Sequence, residues 1–267
     1  SKFLSYAGRL QLLKSVIFSM QVFWASIFLL PKKVVHKIEQ LMRNFLWSGR
    51  PNIATKAKIR WEIVCSPQVE GGLGIPKLEI WNKAAQLKHI WHLCKGGARG
   101  IWVDWVHAVF LKGRSFWKVK TPSHCSWTWR KLLKLRDSVR QFFFWKVGNG
   151  LSISLWSDFW LPQGPLDNVL NSRDIATSGL PSNARLCCLI EDNSWVLPQS
   201  SIWSRINIPS NVLPNALEDD QLLWKPSANG VFSVKSAYRT FSPLGIHIPW
   251  STLVWSKKSI PRHSFIL

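Results

Sequence analysis

The chain contains 267 residues, of which 46% are hydrophobic and 18% are charged. It has 35 Lys and Arg residues against 14 Asp and Glu residues, so its formal net charge is +21. This length exceeds that of a small disulfide scaffold, and 18 Trp with 14 Phe residues give far more apolar surface than a disordered chain has. We therefore expect one large or two modest folded domains.

The cysteines and the apolar stretches indicate the compartment. Five cysteines occur without a Cys-x-x-Cys pair, which argues against a secreted disulfide framework and against a zinc ribbon. We therefore expect a reducing compartment, nuclear or cytoplasmic, and no secretion. The apolar residues 16–30 fall short of the ~20 residues of a membrane span, so no membrane partner is expected. We interpret both ends of the chain as truncation points in a longer polypeptide.

The basic residues are concentrated in the first part of the chain. Residues 1–150 contain 26 Lys and Arg and 6 Asp and Glu, a net charge of +20, whereas residues 151–267 contain 9 and 8. Self-repulsion of this size costs folding free energy unless a polyanion screens it, so nucleic acid is the leading predicted partner. Two alternatives stay open: an acidic membrane surface, and a solvated basic face without a dedicated ligand.

Apolar residues at three- and four-residue spacing predict three helices in the first hundred residues. The first ends at Pro31, the second is closed by Gly49, and the third covers residues 78–94. Between the second and third helices, alternating apolar and charged side chains predict a half-exposed strand over residues 56–64. The first helix is expected to bury one stripe of side chains: Leu10, Leu13, Ile17 and Met20 or Gln21.

Further helices are predicted over residues 101–111 and 127–145, and the pattern changes after the Gly-Asn-Gly sequence at 148–150. Residues 151–156 alternate as a strand does. Residues 222–224 and 231–232 flank Asn229-Gly230, which predicts a β-hairpin. Ser233 is then the expected N-cap of a short helix that ends near Phe241.

No set of residues in this sequence forms a recognisable catalytic or metal-binding motif. Asp219 and Asp220 are adjacent, and an exposed acidic loop is the favoured interpretation of that pair. His89 and His92 lie near Cys94, but packing beside the neighbouring tryptophan is favoured over metal binding. Four tryptophans interleaved with basic residues are candidates for base stacking, although most are expected to be core: Trp61, Trp117, Trp129 and Trp145.

Several strings of residues, in this order, resemble one family. They are LSYAGRLQLLKSV at residues 4–16, KIRW at 58–61 leading to GGLGI at 71–75, VGNG at 147–150 with WSDFW at 156–160, and NGVFSVKSAY at 229–238. Together they resemble the carboxy-terminal part of plant LINE-type (non-LTR) retrotransposon reverse transcriptases. Each string alone is a weak signal, and their order and spacing along nearly the whole chain make the resemblance specific.

The resemblance implies which parts of the polymerase this chain contains. In that family a palm domain with paired catalytic aspartates precedes the opening helices, which would form the thumb that grips the template–primer duplex. No Tyr/Phe-x-Asp-Asp motif occurs here, so no catalytic residue is assigned, and whether the chain takes part in catalysis stays open. The resemblance places residues 250–267 at the start of a zinc-binding module. It implies Mg²⁺ in the missing palm and Zn²⁺ in the missing remainder of that module, with no cofactor or metal site in this chain.

The sequence therefore predicts an α+β fold that is mainly α in its N-terminal half. Residues 1–147 are expected to form a basic, mainly helical, thumb-like region, and residues 148–267 a mixed region of short strands and helices that ends in the truncated zinc-binding module. The expected partners are the missing palm and an RNA or DNA template–primer duplex, bound through its phosphates. The alternative is an inert remnant of a degraded element, or a protein-interaction module. The predicted contact residues are Arg9, Lys14, Lys32, Lys33, Arg43, Lys58, Arg60, Lys131 and Lys134, with Trp61 as a stacking residue.

Overall fold

The computed structural model describes residues 4–17, 19–20, 23–24, 29–54, 56–95, 100–243 and 245–256. The chain divides into two compact units, the first formed by Ser1–Gln86 with Ala237–Leu267 and the second by Leu87–Ser236. Helices dominate and the strands are few and short, so the predicted α+β class is confirmed. Residue 147, the predicted end of the basic region, lies inside the second unit, and that division by charge stays a prediction.

The described residues form nine α-helices and four short strands. The helices are α1 Tyr6–Leu12, α2 Lys32–Ser48, α3 Trp61–Val64, α4 Leu78–Cys94, α5 Ile101–Val106, α6 Trp127–Val139, α7 Ser172–Thr177, α8 Val234–Phe241 and α9 Ser251–Val254. π-helical turns at Leu13–Ile17 and His107–Leu111 extend α1 and α5. The strands are β1 Phe143–Lys146, β2 Ile190–Glu191, β3 Ser194–Trp195 and β4 Gln221–Trp224. Within the described residues, no helix is long and apolar enough to cross a bilayer.

The first unit is held together by a core between α1, α2, α3 and the start of α4. Leu10 and Leu13 are buried in it, as the helical spacing predicts. Met20 is 60% exposed, so it does not belong to the buried stripe. The side chain of Ile17 and residue Gln21 lie outside the described residues. The other side chains of this core are Val35, Met42, Leu46, Trp47, Trp61, Val64, Cys65, Ile75 and Leu78.

Helix α2 ends as the sequence predicts, at a glycine in the left-handed conformation. Gly49 has φ +74°, and its N–H donates to the carbonyl oxygen of Phe45. The Nη1 of Arg9 donates to the carbonyl oxygens of Leu46 and Trp47 at 3.2 and 3.4 Å. A Cβ at position 49 would lie 3.0 Å from the Arg9 guanidinium, so this glycine also leaves room for the arginine that caps the helix.

The strand predicted over residues 56–64 is wrong. Residues 61–64 form the single helical turn α3, which buries Trp61 and Val64 and leaves Ile63 51% exposed. After this turn the chain reverses direction, and the N–H of Leu73 donates to the carbonyl oxygen of Val64 at 3.0 Å. At Gly72 a Cβ would lie 2.1 Å from a backbone oxygen, so the close approach of the two chain segments requires glycine. The pairing of these segments replaces the predicted strand.

In the second unit, the aromatic residues after α6 form a strand where the sequence predicts the end of a helix. Helix α6 begins at the predicted position and ends at Val139, earlier than the predicted residue 145, and residues 143–146 form β1. Strand β1 is antiparallel to β4, with Phe143 opposite Trp224. Consecutive aromatic residues favour a strand when a partner strand is present. That partner comes from about eighty residues later, and local helical spacing does not reveal it.

Two further strand predictions are wrong. Residues 222–224 lie in β4, but their partner is β1 and not residues 231–232, which have no strand conformation. Phe232 instead stacks on Trp91, with 5.3 Å between ring centroids. Residues 151–156 form bends and a turn with one isolated bridge between Ser154 and Arg185, and every residue from 153 to 158 is buried, so the apolar and polar positions do not alternate in exposure as in a half-exposed strand. The helix capped by Ser233 is confirmed as α8.

The Asp219-Asp220 pair serves the fold of the second unit. Asp220 accepts backbone N–H bonds from Gly148 and Gly150 at 2.9 Å and from Ser152 at 2.8 Å. Gly150 has φ +73°, and a Cβ there would lie 2.5 Å from the backbone nitrogen of Cys187. The carboxylate thus holds a tight glycine loop in place. The expected acidic loop is present, and one of its two carboxylates supports the backbone of another loop.

Asp158, in the WSDFW string, is a buried hydrogen-bond acceptor. Its carboxyl oxygens accept from the Trp117 indole N–H at 2.7 Å and from the Ser154 backbone N–H at 2.6 Å. Burial raises the pKa of this carboxyl to about 6, although both hydrogen bonds lower it. The string therefore belongs to the core of the second unit.

The raised pKa of Asp158 predicts a pH dependence of stability. Because the folded state favours the protonated carboxyl, the stabilisation is full below about pH 4 and is lost as the pH rises through about 6. We expect the free energy of unfolding of the parent chain, relative to Asp158→Asn, to fall by about 3 kcal/mol across that range. Urea unfolding of both chains at several pH values measures this. A difference that stays constant with pH would contradict the prediction.

Candidate nucleic-acid interface

Four of the predicted contact residues are partly or fully buried in the first unit. Arg9 caps α2, as described above, and its guanidinium also lies 5.1 Å from the centre of the Tyr6 ring. The Arg43 guanidinium lies 5.7 Å from the Trp61 ring centre. Trp61 itself is only 6% exposed, so its faces are not accessible to a base, and the predicted stacking role is replaced by a packing role. Lys14 is half-buried, and burial lowers the pKa of its ammonium.

The other predicted cations of the first unit are exposed. Lys32 forms an ion pair with Glu79 at 3.4 Å, and both side chains are more than half exposed, so the pair is weak. Lys33 and Arg60 are exposed, and Arg60 precedes the α3 turn. The ammonium of Lys58 lies 5.4 Å from the centre of the Tyr6 ring. These four side chains keep their charge in contact with water, where a phosphate can reach it.

The second unit presents a basic face on α6. Ser126 caps this helix by accepting from the Trp129 N–H at 3.2 Å, which sets where the first turn begins. Trp129, Leu132, Leu133 and Val139 are buried on one side. Four exposed residues at three- and four-residue spacing lie on another side: Trp127, Arg130, Lys131 and Lys134.

These side chains form what we call the α6 basic face. In the described part of the chain, none of its three cations has a carboxylate within 4 Å, whereas Arg136 pairs with Asp137 and Arg140 with Asp167. The Lys131 ammonium lies 5.4 Å from the centre of the Trp127 ring, which is 44% exposed. The Arg130 guanidinium donates to the carbonyl oxygen of Ser123 at 3.2 Å and keeps its charge unneutralised. A row of cations without carboxylate partners, beside an accessible ring, suits a phosphate backbone with an adjoining base.

Sequence reasoning missed two members of this face. Trp127 and Arg130 were not among the predicted contacts, whereas Trp117, Trp129 and Trp145 were stacking candidates and are at least 94% buried. The signal was available in the sequence, because counting from the Ser126 cap places residues 127 and 129 about 200° apart on the helix. Alternation of Trp with basic residues does not show which tryptophan faces solvent.

The described residues contain no group of three His, Cys, Asp or Glu side chains that could hold a metal ion. The His89 ring packs edge-on against Trp102 at 5.3 Å, a different tryptophan from the neighbouring Trp91 that the sequence favours. Burial raises the pKa of the Cys65 thiol to about 12 and that of Cys94 well above its ordinary value. Neither thiol is activated as a nucleophile.

Comparison with known proteins gives one informative match. No family model matches the chain, and no solved structure matches it. A curated protein of Arabidopsis thaliana, named as a ribonuclease H protein, is 33% identical over 249 residues. The match covers 89% of this chain and 39% of that protein. This chain thus resembles, over most of its length, about two fifths of a plant protein named for ribonuclease H.

Proposed function

We propose that this chain binds nucleic acid through its phosphate backbone, and that the α6 basic face is part of the binding surface. The observation that carries the proposal is the row of Arg130, Lys131 and Lys134, three cations without carboxylate partners in the described structure, beside the exposed ring of Trp127. Such a surface binds by charge and stacking and reads no sequence. The exposed cations of the first unit, among them Lys58 and Arg60, would add further phosphate contacts.

The parent polypeptide in this proposal is a plant retroelement protein of the LINE type. The relative named as a ribonuclease H protein supports a protein that acts on nucleic acid, and the motif order resembles the reverse transcriptases of that family. The chain would be the part that follows the polymerase palm and would grip the RNA or DNA template–primer duplex. Mg²⁺ and Zn²⁺ would then belong to the palm and to the terminal module, outside the residues described here.

Binding to a labelled RNA–DNA hybrid across a salt series tests this function. Each phosphate contact contributes ~0.7 to ~0.9 to the slope of log affinity against log salt, so a chain with several contacts loses affinity steeply. In the variant Lys131→Glu/Lys134→Glu, we expect the slope to fall by about 1.5 and the affinity at low salt to fall at least about tenfold. Fluorescence anisotropy measures both quantities.

A matched variant controls for net charge. Lys235 and Arg239 are exposed on α8 and lie four residues apart, so Lys235→Glu/Arg239→Glu changes the charge equally without altering α6. Equal losses in both variants would show nonspecific attraction and would contradict the role of α6. A folded parent chain that does not bind the hybrid would leave the inert-remnant account, and salt-resistant binding to anionic vesicles would favour a membrane surface instead.

A further inference from the structure

A cavity of about 300 Å³ in the second unit is lined by more positively than negatively charged side chains. Three cationic side chains line it, Arg114, Lys118 and Arg185, and its described lining includes no Asp or Glu residue. Its volume is at the lower end for sites that bind small molecules, and it is too small to enclose a duplex. The ligand that fits such a cavity is a small anion.

The positive charge of this cavity is only partly neutralised by the protein. Lys118 pairs with Asp167 at 2.8 Å, but Arg140 holds the same carboxylate at 2.9 Å, so two cations share one negative charge. Arg114 donates to the carbonyl oxygen of Leu111, and Arg185 to that of Ser152, at 3.2 and 2.9 Å. In the described residues, no carboxylate oxygen lies within 4 Å of either guanidinium. Each guanidinium therefore retains N–H donors for a ligand.

One further carboxyl group, that of Asp158, lies close to these arginines and already accepts hydrogen bonds from other groups. Asp158 lines an adjoining cavity of about 100 Å³, which shares Arg114 and Arg185 with the larger one. Its two oxygens accept from the Trp117 indole and the Ser154 backbone, so it forms no close ion pair with the arginines. Asp158 reduces the positive potential but does not use the arginine donors.

The remaining walls supply neutral donors and an apolar surface. Ser172, Ser182 and Asn183 are exposed at the cavity and carry hydroxyl and amide donors. The apolar part of its lining is the half-buried Ile175 together with Trp156, which is only 2% exposed. Two guanidinium groups favour the oxygens of a phosphate, which accept several N–H bonds at once. The apolar side chains suit an organic group attached to that phosphate.

We propose that this cavity binds a phosphate monoester, with Arg114 and Arg185 on the phosphate oxygens and Ile175 against the organic part. Two sources share this chemistry: a free nucleotide, and the phosphorylated 5′ end of a nucleic-acid strand. The proposal does not rest on the α6 basic face, because it concerns different residues and a different ligand. Either proposal can fail while the other stands.

The test uses AMP as the probe for the free nucleotide, with the full chain in isothermal titration calorimetry. We expect Arg114→Gln to weaken AMP binding about tenfold to a hundredfold, because it removes a charged donor. Ser182→Trp fills the cavity without changing the charge, and we expect the same loss. Arg173→Gln removes an exposed cation that does not line the cavity, so it should bind AMP as the parent does. Circular dichroism checks that each variant is folded.

A second experiment distinguishes a free nucleotide from a phosphorylated strand end. A single-stranded oligonucleotide with a 5′ phosphate is compared with the same strand bearing a 5′ hydroxyl. Tighter binding of the phosphorylated strand that disappears in Arg114→Gln and Ser182→Trp would identify a strand end, and binding of AMP alone would identify a free nucleotide. Equal affinities of the parent and both cavity variants for these probes would overturn the proposal. So would a folded parent chain that neither binds AMP nor prefers the phosphorylated strand.

Discussion

Replacing Asp167 by alanine is expected to destabilise the second unit by about 3 to 5 kcal/mol, because it leaves a largely buried arginine without its counter-ion. The Asp167 side chain is 3% exposed and accepts from Arg140 and Lys118 at 2.9 and 2.8 Å. Arg140 is only 18% exposed and also donates to the carbonyl oxygen of Ser157 at 3.0 Å. Urea unfolding followed by tryptophan fluorescence measures the loss.

Two further variants separate the ion pair from general effects of the substitution. Asp137 is 83% exposed and pairs with Arg136 at 3.5 Å, so Asp137→Ala should cost less than about 1 kcal/mol. The double variant Asp167→Ala/Arg140→Met removes both charges, and its loss should be smaller than the sum of the single losses. Additive losses, or an Asp167→Ala variant as stable as Asp137→Ala, would contradict the importance of the buried pair.

The second large loss of stability is expected when Asp220 is replaced. Its carboxylate accepts three backbone N–H bonds from the loop at Gly148, Gly150 and Ser152. Asp220→Ala leaves all three donors without an acceptor, and we expect the free energy of unfolding to fall by about 3 kcal/mol or more, since each unpaired donor costs about 1 to 3 kcal/mol when it is shielded from water. Denaturant unfolding and amide hydrogen exchange of the loop measure the effect.

The neighbouring residue provides a matched control. Asp219 is exposed, and its carboxylate accepts a bond at 3.0 Å from the side chain of Asn149. Asp219→Ala should therefore have only a small effect on stability, below about 1 kcal/mol. Asp220→Asn keeps one acceptor oxygen but places an amide group near a backbone donor. Its loss of stability should therefore lie between those of Asp219→Ala and Asp220→Ala. Similar losses at positions 219 and 220 would contradict the supporting role of Asp220.

Much of the helical structure follows from the sequence alone, because helix signals are local. The spacing of apolar residues places α4 at Leu78–Cys94, and Gly49 and Ser233 mark a helix end and a helix start as expected. The basic character of α6 is likewise visible in the sequence. Each of these features depends on residues within about four positions of one another, so no knowledge of distant contacts is needed.

Only the tertiary structure decides which distant segments meet. Strand β1 needs β4 as its partner, and that pairing converts the end of a predicted helix into a strand. Burial distinguishes Trp127 from Trp129, and a backbone loop from far earlier in the chain gives Asp220 its role. The arginines of the cavity come from segments about seventy residues apart. Strand partners, burial and convergent charges depend on contacts between remote residues, and a local pattern carries no information about those contacts.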